Sequence, residues 1–334
     1  MAPGDEPKNN RAPRNRTLDV QEAEVSELRS KIQFFDRSIA PSFTDCVICG
    51  DAFKVIPELH EASFDVLFAD PPYNLTKDFG SEKFRKTSLD SYEEWLDSWL
   101  AGCSKLLKTT ASIYICGDWR SSSAIQRVGM KYFKLRNRIT WEREKGRGSK
   151  TNWKNASEDI WFFTVSDEYT FNVDTVQLKR KVIAPYTENG APKDWVRSDQ
   201  GNFRLTHPSN LWTDLTVPFW SMPENTDHPT QKPEKLLAKI VLASSNENDL
   251  ILDPFLGSGT TAVVAKKLNR RYVGIEADEK YCLLAQKRLS LAEKDKTIQG
   301  YSDGVFWERN TLSAQNSHAQ VSKPTNPVSQ PSLL

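Results

Sequence analysis

The sequence is poor in the residues that build disulfide frameworks, metal sites and membrane spans. Its 334 residues include five cysteines, four histidines and three methionines, and it has no run of about 18 apolar residues that would predict a transmembrane helix. The N-terminal stretch "MAPGDEPKNNRAPRNR" has no apolar core, so we expect no secretory signal. Cys46 and Cys49 have C-x-x-C spacing, but no second pair completes a zinc set. These features predict a reduced, cytoplasmic protein with no metal site and no membrane partner.

The overall charge is close to neutral, but one region is strongly basic. Charged residues make up 27% of the chain and hydrophobic residues 38%, which is typical of a globular protein of one large domain or two. The net charge of +1 does not by itself predict a polyanionic partner. Residues 131–154, however, contain nine lysines and arginines and only two glutamates, interleaved with aromatic residues. This patch has the composition of a phosphate-binding surface, although a solvated face explains it equally well.

Short apolar runs alternate with stretches of helical periodicity between two polar tails. The runs "DCVICGDA", "FDVLFAD", "ASIYICGD", "DLILDPF" and "RYVGIEA" are typical of strands, and "YEEWLDSWLAGCSKLLK" is typical of an amphipathic helix. This alternation predicts an α/β fold with a doubly wound, mostly parallel sheet. Two segments, 31–169 and 228–292, carry the pattern, and the poorly patterned segment 170–227 is predicted to be an insertion. Residues 1–30 and most of 293–334 are predicted to be disordered tails.

The stretch "LILDPFLGSGTTAVVAKKLNRRYVGIEAD" contains a glycine-rich turn between a strand and a helix. The strand ends at Asp253, the turn contains Gly257 and Gly259, and the next strand ends at Glu276. Such a turn lets a ligand approach the backbone, and an acid at the end of the next strand can accept hydrogen bonds from ribose hydroxyls. A nicotinamide enzyme is the alternative, but few residues follow Glu276. The remaining strands must therefore come from upstream, in a circularly permuted order.

The stretch "FADPPYNL" breaks a predicted strand with two prolines. Because Pro71 and Pro72 lack the N–H that a central strand needs, Asp70 and Tyr73 are expected at a stiff, exposed corner. Taken alone, the corner is either a simple turn or a place where a substrate binds.

Together, "DPPYN" and the downstream "DPFLGSGTT" resemble the motifs of the β class of DNA amino-methyltransferases that use S-adenosylmethionine. The segments "CGDAF", "HPTQKP" and "RNRITWEREKGRG" are similar to further elements of that family, and the resemblance covers roughly residues 44–292. It implies a Rossmann-like methyltransferase fold with permuted motif order. Residues 31–169 would then form the catalytic half, 170–227 a target-recognition insertion and 228–292 the cofactor-binding half.

The resemblance also implies which residues form the site. An exocyclic amine is a poor nucleophile, and acceptors on both N–H groups help to localise its lone pair; Asp70 and a proline carbonyl, that of Pro71, would supply them. Tyr73 would stack on a base flipped out of the duplex. The implied catalytic residues are Asp70, Pro71, Pro72 and Tyr73. The implied S-adenosylmethionine-binding residues are Asp51, Ala52, Asp70, Thr230, Lys232, Asp253, Phe255, Gly257, Ser258, Gly259, Thr260 and Glu276.

The resemblance leaves the target and the partners open. Asp70 favours the N6 amine of adenine over the N4 amine of cytosine by family association, and no cysteine follows a proline, which disfavours C5-cytosine chemistry. Many relatives carry His-Glu where this chain has Ser157 and Glu158. Methylation of RNA or of a protein amide, and a silent DNA-binding subunit, are the remaining alternatives. Duplex DNA is the predicted partner, which implies nucleoid association; a cognate restriction endonuclease and a monomeric or homodimeric state remain open.

Overall fold

The computed structural model describes residues 13–35, 44–74, 77–78, 83–84, 87–143, 148, 150–183, 185–198, 201–309 and 311. The α-helices in these ranges are α1 (Glu22–Ser30), α2 (Ala52–Val55), α3 (Leu89–Leu106), α4 (Ser122–Tyr132), α5 (Glu234–Ser244), α6 (Thr260–Lys267) and α7 (Glu279–Lys294). None of these described helices combines the length and the apolar composition that crossing a bilayer requires. Two short 3₁₀ helices cover Ile56–Glu58 and Val173–Val176.

The strands follow the same chain order. They are β1 (Gln33–Phe34), β2 (Cys46–Cys49), β3 (Phe64–Ala69), β4 (Lys77–Asp78), β5 (Lys83–Phe84), β6 (Leu107–Gly117), β7 (Lys134–Glu142), β8 (Ser157–Thr164), β9 (Leu178–Lys181), β10 (Thr187–Glu188), β11 (Ala191–Pro192), β12 (Val196–Ser198), β13 (Gly201–Thr206), β14 (Leu211–Trp212), β15 (Leu250–Asp253), β16 (Arg271–Glu276), β17 (Tyr301–Ser302) and β18 (Val305–Trp307).

The described part of the chain contains a nine-stranded sheet in the order β1-β2-β16-β15-β3-β6-β8-β7-β14. Neighbouring strands are parallel except at β8, which runs antiparallel to both β6 and β7. The two late strands β15 and β16 lie between β2 and β3, which come from the first part of the chain. This arrangement confirms the predicted mostly parallel sheet and its permuted order.

Helices cover both faces of the sheet, and the strands bury side chains in both directions. On β3, Val66 and Phe68 pack on the layer that contains α5, α6 and α7. The alternate residues Leu67 and Ala69 pack on the layer of α2, α3 and α4. This alternation follows from the two-residue period of a strand. The sequence of a strand that is buried on both faces is a nearly continuous apolar run, as in "FDVLFA".

Strands β3 and β15 mark the point where the winding of the sheet reverses. Successive strands proceed from β3 to β6 on one side and from β15 to β16 on the other. Parallel pairing aligns Ile251 with Val66 and Leu252 with Leu67. The carboxyl ends of the two strands, at Asp253 and Ala69, therefore lie side by side. Ligands bind at such switch points in open α/β sheets.

The segment predicted as an insertion forms a second sheet that a late part of the chain completes. This five-stranded sheet has the order β12-β13-β9-β18-β17. Strand β18 pairs parallel with β9, aligning Phe306 with Leu178, and Trp307 is buried. The predicted tail over 293–334 thus differs from the structure at β17 and β18. The aromatic pair Phe306–Trp307 holds this segment in place because its burial removes a large apolar area from water.

The predicted N-terminal tail over residues 1–30 also differs from the structure at its end. Helix α1 packs beside α7: Leu28 is buried and the Arg29 guanidinium lies 3.3 Å from a carboxylate oxygen of Glu279. Lys287 donates to the Asp19 carbonyl at 2.6 Å and to Glu24 at 2.7 Å. Residues 1–12 and 312–334 lie outside the described residues.

Candidate active site

The two prolines turn the chain out of the sheet immediately after β3. Ala69 is the last residue of the strand, and Asp70 follows at its carboxyl end. The Tyr92 hydroxyl of α3 donates to the Pro72 carbonyl at 3.1 Å. This bond anchors the corner to a helix of the core. The corner is rigid but not exposed as predicted: Pro71 is buried and the Asp70 side chain is 15% exposed, because α3 and Lys232 lie against the corner.

Asp70 is the centre of a polar cluster, hereafter the Asp70 cluster, formed by Asp70, Tyr73, Glu158 and Lys232. The Lys232 ammonium donates to Asp70 Oδ2 at 2.6 Å and lies 2.8 Å from Glu158 Oε1. The Tyr73 hydroxyl is 2.8 Å from Asp70 Oδ1 and also within hydrogen-bonding reach of Glu158. Arg143 pairs with the other oxygen of Glu158 at 2.7 Å. One ammonium is therefore shared by two carboxylates.

The pKa values of the two carboxyl groups in this cluster shift in opposite directions. Burial and the negative charge of Glu158 raise the pKa of Asp70, against the opposing effect of Lys232. Burial would also raise the pKa of Glu158, but Lys232 and Arg143 bring it below the ordinary value. Burial would lower the pKa of Lys232, and the two carboxylates raise it instead. Asp70 is thus the carboxylate that takes up a proton more readily, and Lys232 stays charged.

On the neighbouring strand, Asp253 stabilises the glycine turn through hydrogen bonds. Its carboxylate accepts from the Phe255 N–H at 3.0 Å and from the Thr261 hydroxyl at 2.5 Å. Burial raises the pKa of Asp253 to about 7. These bonds fix the path of the chain between β15 and α6. The predicted ligand-binding residue Asp253 therefore lines the cavity while it holds the turn in shape.

Both glycines of the turn have backbone angles and surroundings that exclude a side chain. Gly257 has φ +55°, and a Cβ there would lie 3.0 Å from the His228 ring. Gly259 has φ +87°, and a Cβ there would lie 2.6 Å from Ala285 of α7. Positive φ favours glycine, and the close approach adds a second reason at each position. Gly257 faces the cavity, whereas Gly259 packs against α7.

Glu276 ends β16 and points back toward the glycine turn. Its Oε2 accepts from the Gly257 N–H at 2.8 Å, and its Oε1 accepts from the Asp278 N–H at 2.8 Å. Burial raises the pKa of Glu276 to about 7. Asp51 lies beside it, because the Gly50 N–H donates to the Glu276 carbonyl at 2.9 Å. The sequence places these acids at the ends of adjacent strands, and the structure brings them to one cavity.

A cavity of about 250 Å³ lies at the β3–β15 junction. All the predicted site residues except Gly259 line it. The sequence did not point to Phe53 and Trp95, which form an aromatic wall of the cavity with the predicted Phe255: the Trp95 ring lies 6.2 Å from Phe53 and 6.0 Å from Phe255. The apolar spacing of α3 predicts Trp95 only as part of an amphipathic helix and not as a cavity residue. The lining residues from the predicted sets are Asp51, Ala52, Asp70, Pro71, Pro72, Tyr73, Thr230, Lys232, Asp253, Phe255, Gly257, Ser258, Thr260 and Glu276.

The contacts of Lys232 and Glu158 differ from those expected from the sequence. Lys232 is predicted to bind S-adenosylmethionine, but its ammonium is bound to Asp70 and Glu158. Glu158 was noted only as part of a departure from the family pattern, yet its side chain is 2% exposed and completes the Asp70 cluster. The contact between Glu158 and Asp70 was not readable from the sequence, because 88 residues separate the two positions along the chain.

Basic side chains lie at the same edge of the sheet as the corner. Strand β7 runs parallel to β3 and β6, so the connection from β7 to β8 emerges at their carboxyl ends. This connection carries Arg143, Lys150, Trp153 and Lys154. The predicted basic patch over 131–154 is thus partly at this edge, while residues 144–147 and 149 lie outside the described residues. Most of the segment 75–86 and Gln200 also lie outside the described residues.

Comparison with known proteins gives the family. A model of the family described as DNA methylase matches residues 64–287. This chain belongs to the DNA methylase family. The resemblance drawn from the two motifs is thereby confirmed. The matched residues run from the first residue of β3 into α7 and so include the Asp70 corner, the glycine turn and Glu276.

Individual relatives agree with this assignment. The DNA methylase is 36% identical over 249 residues to the type II methyltransferase M.HpaI of Haemophilus parainfluenzae, with 73% of each chain covered. It is 34% identical over 256 residues to the DNA adenine methyltransferase YhdJ of Escherichia coli (strain K12), covering 74% of this chain and 83% of that protein.

Solved structures share the fold of the DNA methylase. The M1.HpyAVI–SAM complex aligns with a TM-score of 0.51 at 24% identity, over 73% of this chain and 98% of that chain. The cytosine-N4-specific PvuII DNA methyltransferase aligns with a TM-score of 0.52 at 17% identity, over 75% of this chain and 92% of that chain. The predicted α/β methyltransferase architecture is therefore confirmed.

Proposed function

We propose that this DNA methylase transfers a methyl group from S-adenosylmethionine to the N6 amine of adenine in duplex DNA. The observation that carries the proposal is the position of Asp70, which lines the same cavity as the glycine turn and Glu276. An amine held by Asp70 therefore lies beside a methyl donor held by the turn. The choice of adenine is supported by the similarity to YhdJ, which is named a DNA adenine methyltransferase.

The residues around the cavity fit S-adenosylmethionine. We assign the Glu276 carboxylate to the ribose hydroxyls, Asp51 and Ala52 to the neighbourhood of the adenine, and Trp95 and Phe255 to an apolar wall beside it. Gly257 keeps the turn free of a side chain where the His228 ring already approaches. When bound, the cofactor supplies a methyl group on a positively charged sulfur, which is a good leaving group. Transfer then requires mainly positioning and electrostatics from the protein.

The Asp70 cluster must open before a base can bind. Both oxygens of Asp70 are engaged, one by the Tyr73 hydroxyl and one by Lys232. An entering amine would replace these donors, with one N–H directed to Asp70 and the other to the Pro71 carbonyl. The freed Tyr73 ring would stack on the base, and Lys232 would keep Glu158 as its counter-ion. The ammonium therefore stays paired throughout, which avoids leaving a buried charge uncompensated.

The basic edge and the second sheet are the proposed DNA surface. Lys150 and Lys154 lie on the β7–β8 connection, which leaves the sheet at the same edge as Asp70, and they would contact phosphates. The insertion over 170–227, completed by β17 and β18, would read the target sequence through residues such as Arg197 and Arg204. We further propose an intracellular setting beside the nucleoid. A cognate restriction endonuclease is a proposed partner, supported by the type II name of the relative M.HpaI.

The experiment that tests this function follows a radiolabelled methyl group. Purified protein is incubated with labelled S-adenosylmethionine and, separately, with unmethylated duplex DNA, RNA and a protein extract as acceptors. We expect label in the duplex DNA alone, and loss of at least about a hundredfold in rate for Asp70→Asn with cofactor binding preserved. Absence of label from every DNA, or near wild-type transfer by Asp70→Asn, would refute the proposal.

A further inference from the structure

The turn between β6 and α4 presents an exposed tryptophan next to the catalytic corner. Strand β6 is the parallel neighbour of β3, with Ile115 aligned to Ala69. The chain beyond β6 therefore leaves the sheet beside Asp70 and Tyr73. Within this turn Trp119 is 59% exposed, whereas the flanking Asp118 and Ser121 are buried.

Hydrogen bonds fix this turn to the corner and to the sheet. The Asn74 N–H, one residue beyond the corner, donates to Ser121 Oγ at 3.2 Å. The Ser121 N–H donates to Asp118 Oδ1 at 2.9 Å, and Ser122 Oγ donates to Asp159 of β8 at 2.7 Å. The backbone that carries Trp119 is thus held in a constant position relative to Asp70. The turn and the Asp70 corner leave the sheet at the same edge, so DNA that brings a base to Asp70 would approach this turn.

Removing a base from a duplex leaves a gap that an aromatic side chain can fill. Unstacking and unpairing the target cost free energy, and proteins that distort DNA insert apolar side chains between bases to offset such costs. An indole stacks on any base because every base presents a π-face. The Arg120 guanidinium lies 5.1 Å from the centre of the Trp119 ring, which places a cation where it could meet a flanking phosphate.

We propose that Trp119 enters the duplex at the position vacated by the flipped base and stabilises the flipped state. This inference rests on the proposed function, because it requires a base to leave the duplex for the Asp70 corner. Trp153, which is 94% exposed on the β7–β8 connection, is the competing candidate at the same edge. Trp119 is favoured because its turn is hydrogen-bonded to Asn74 of the corner segment, which fixes its distance from Asp70.

The test compares Trp119→Ala with wild type on two DNA duplexes. Both carry the sequence that the wild-type protein methylates; in one the target base is paired, and in the other it lies opposite an abasic site. We expect Trp119→Ala to lower kcat/KM on the paired duplex about tenfold or more. On the abasic duplex, where the target is already unpaired, the loss should shrink to about twofold. Trp119→Phe should keep most of the activity on both duplexes.

A second readout and a matched control separate stacking from folding. Fluorescence of 2-aminopurine at the target position should rise on binding of wild type and of Trp119→Phe, and much less with Trp119→Ala. Met130→Ala, which removes another exposed side chain from α4 (55% exposed), should behave as wild type in both assays.

The possible outcomes distinguish this inference from the proposed function. Equal losses on the two duplexes, no loss on either, or the expected pattern in Trp153→Ala instead of Trp119→Ala would overturn the role of Trp119 and leave the methylation itself intact. If the wild-type protein labels no DNA, the proposed function fails, and the inference that rests on it fails as well.

Discussion

At the scale of single residues, the site is organised around one shared ammonium. Lys232 binds both Asp70 and Glu158, and Arg143 gives Glu158 a second cation. Glu158 can therefore retain Lys232 when a substrate amine takes its place on Asp70. Under the proposed function Glu158 is a positioning residue, since it would act on the substrate through Lys232 and Asp70.

Replacing Glu158 tests this positioning role. In Glu158→Gln, Lys232 keeps only Asp70 as a charged partner, so an entering amine must compete with a stronger ion pair. We expect kcat/KM to fall about tenfold or more, because a hydrogen bond to a charged group is worth about 1.5–3 kcal/mol. Removing the negative charge of Glu158 should also lower the pKa of Asp70 and shift the acid limb of the rate profile to lower pH.

The control for this variant is Glu168→Gln, which alters an exposed glutamate outside the cluster and should leave the pH–rate profile unchanged. An acid limb that stays in place in Glu158→Gln, or that moves to higher pH, would contradict the assigned role.

The raised pKa of Glu276 predicts how the affinity for S-adenosylmethionine depends on pH. Burial raises its pKa to about 7, so the side chain is mostly protonated below that pH and mostly ionised above it. An ionised carboxylate accepts hydrogen bonds from ribose hydroxyls better than a protonated one. Calorimetric titration should show S-adenosylmethionine binding several-fold more tightly at pH 8 than at pH 6.

Glu276→Gln separates this group from Asp253, whose pKa burial also raises to about 7. The variant should bind the cofactor weakly and with a flat pH dependence between 6 and 8. A persistent pH dependence in the variant would assign the titration to Asp253 or to another group of the cavity.

At the scale of secondary-structure elements, a buried ion network joins α5 to the insertion and to the C-terminal strand. Asp214, which follows β14, lies 2.7 Å from the Lys235 ammonium and 2.6 Å from that of Lys239, both on α5. Lys235 also donates to the Trp307 carbonyl at the end of β18. Three chain segments therefore meet at the Lys235 ammonium.

Asp214→Asn should destabilise the protein strongly, because it leaves two buried lysines without their anion. We expect a loss of about 3–5 kcal/mol in the free energy of unfolding, measured by urea denaturation. Asp194→Asn is the matched control in the same insertion, since Asp194 pairs with Arg204 at 3.4 Å in an exposed position. Its effect should stay below about 1 kcal/mol. Equal effects of the two substitutions would show that the Asp214 network does not join these elements.

At the scale of the whole molecule, the candidate active site is assembled from two segments that are far apart in the chain. The pairing of β15 with β3 joins residue 251 to residue 66 and brings the glycine turn to the Asp70 corner. The parallel sheet and the cofactor cavity thus depend on long-range contacts, whereas each motif is local in the sequence.

This difference explains what the sequence could predict. Prolines and glycines act on their own backbone, so the corner at Asp70 and the turn at Gly257 were readable from a few residues each. Glu158 and Trp95 enter the site only through the packing of β8 and α3 beside β3, which no local pattern encodes. The strands of the second sheet, including β18, are short and lack a regular apolar period. Consequently β18 was assigned to a tail, although its adjacent Phe306 and Trp307 were an available signal.

The central claim is that the Asp70 corner methylates the N6 amine of adenine in DNA. The most direct measurement is mass spectrometry of the nucleosides released from unmethylated duplex DNA after incubation with the protein and S-adenosylmethionine. We predict N6-methyladenine, and none when Asp70→Ala replaces the wild-type protein. N4-methylcytosine as the product, or DNA that gains no methylated base, would contradict the claim.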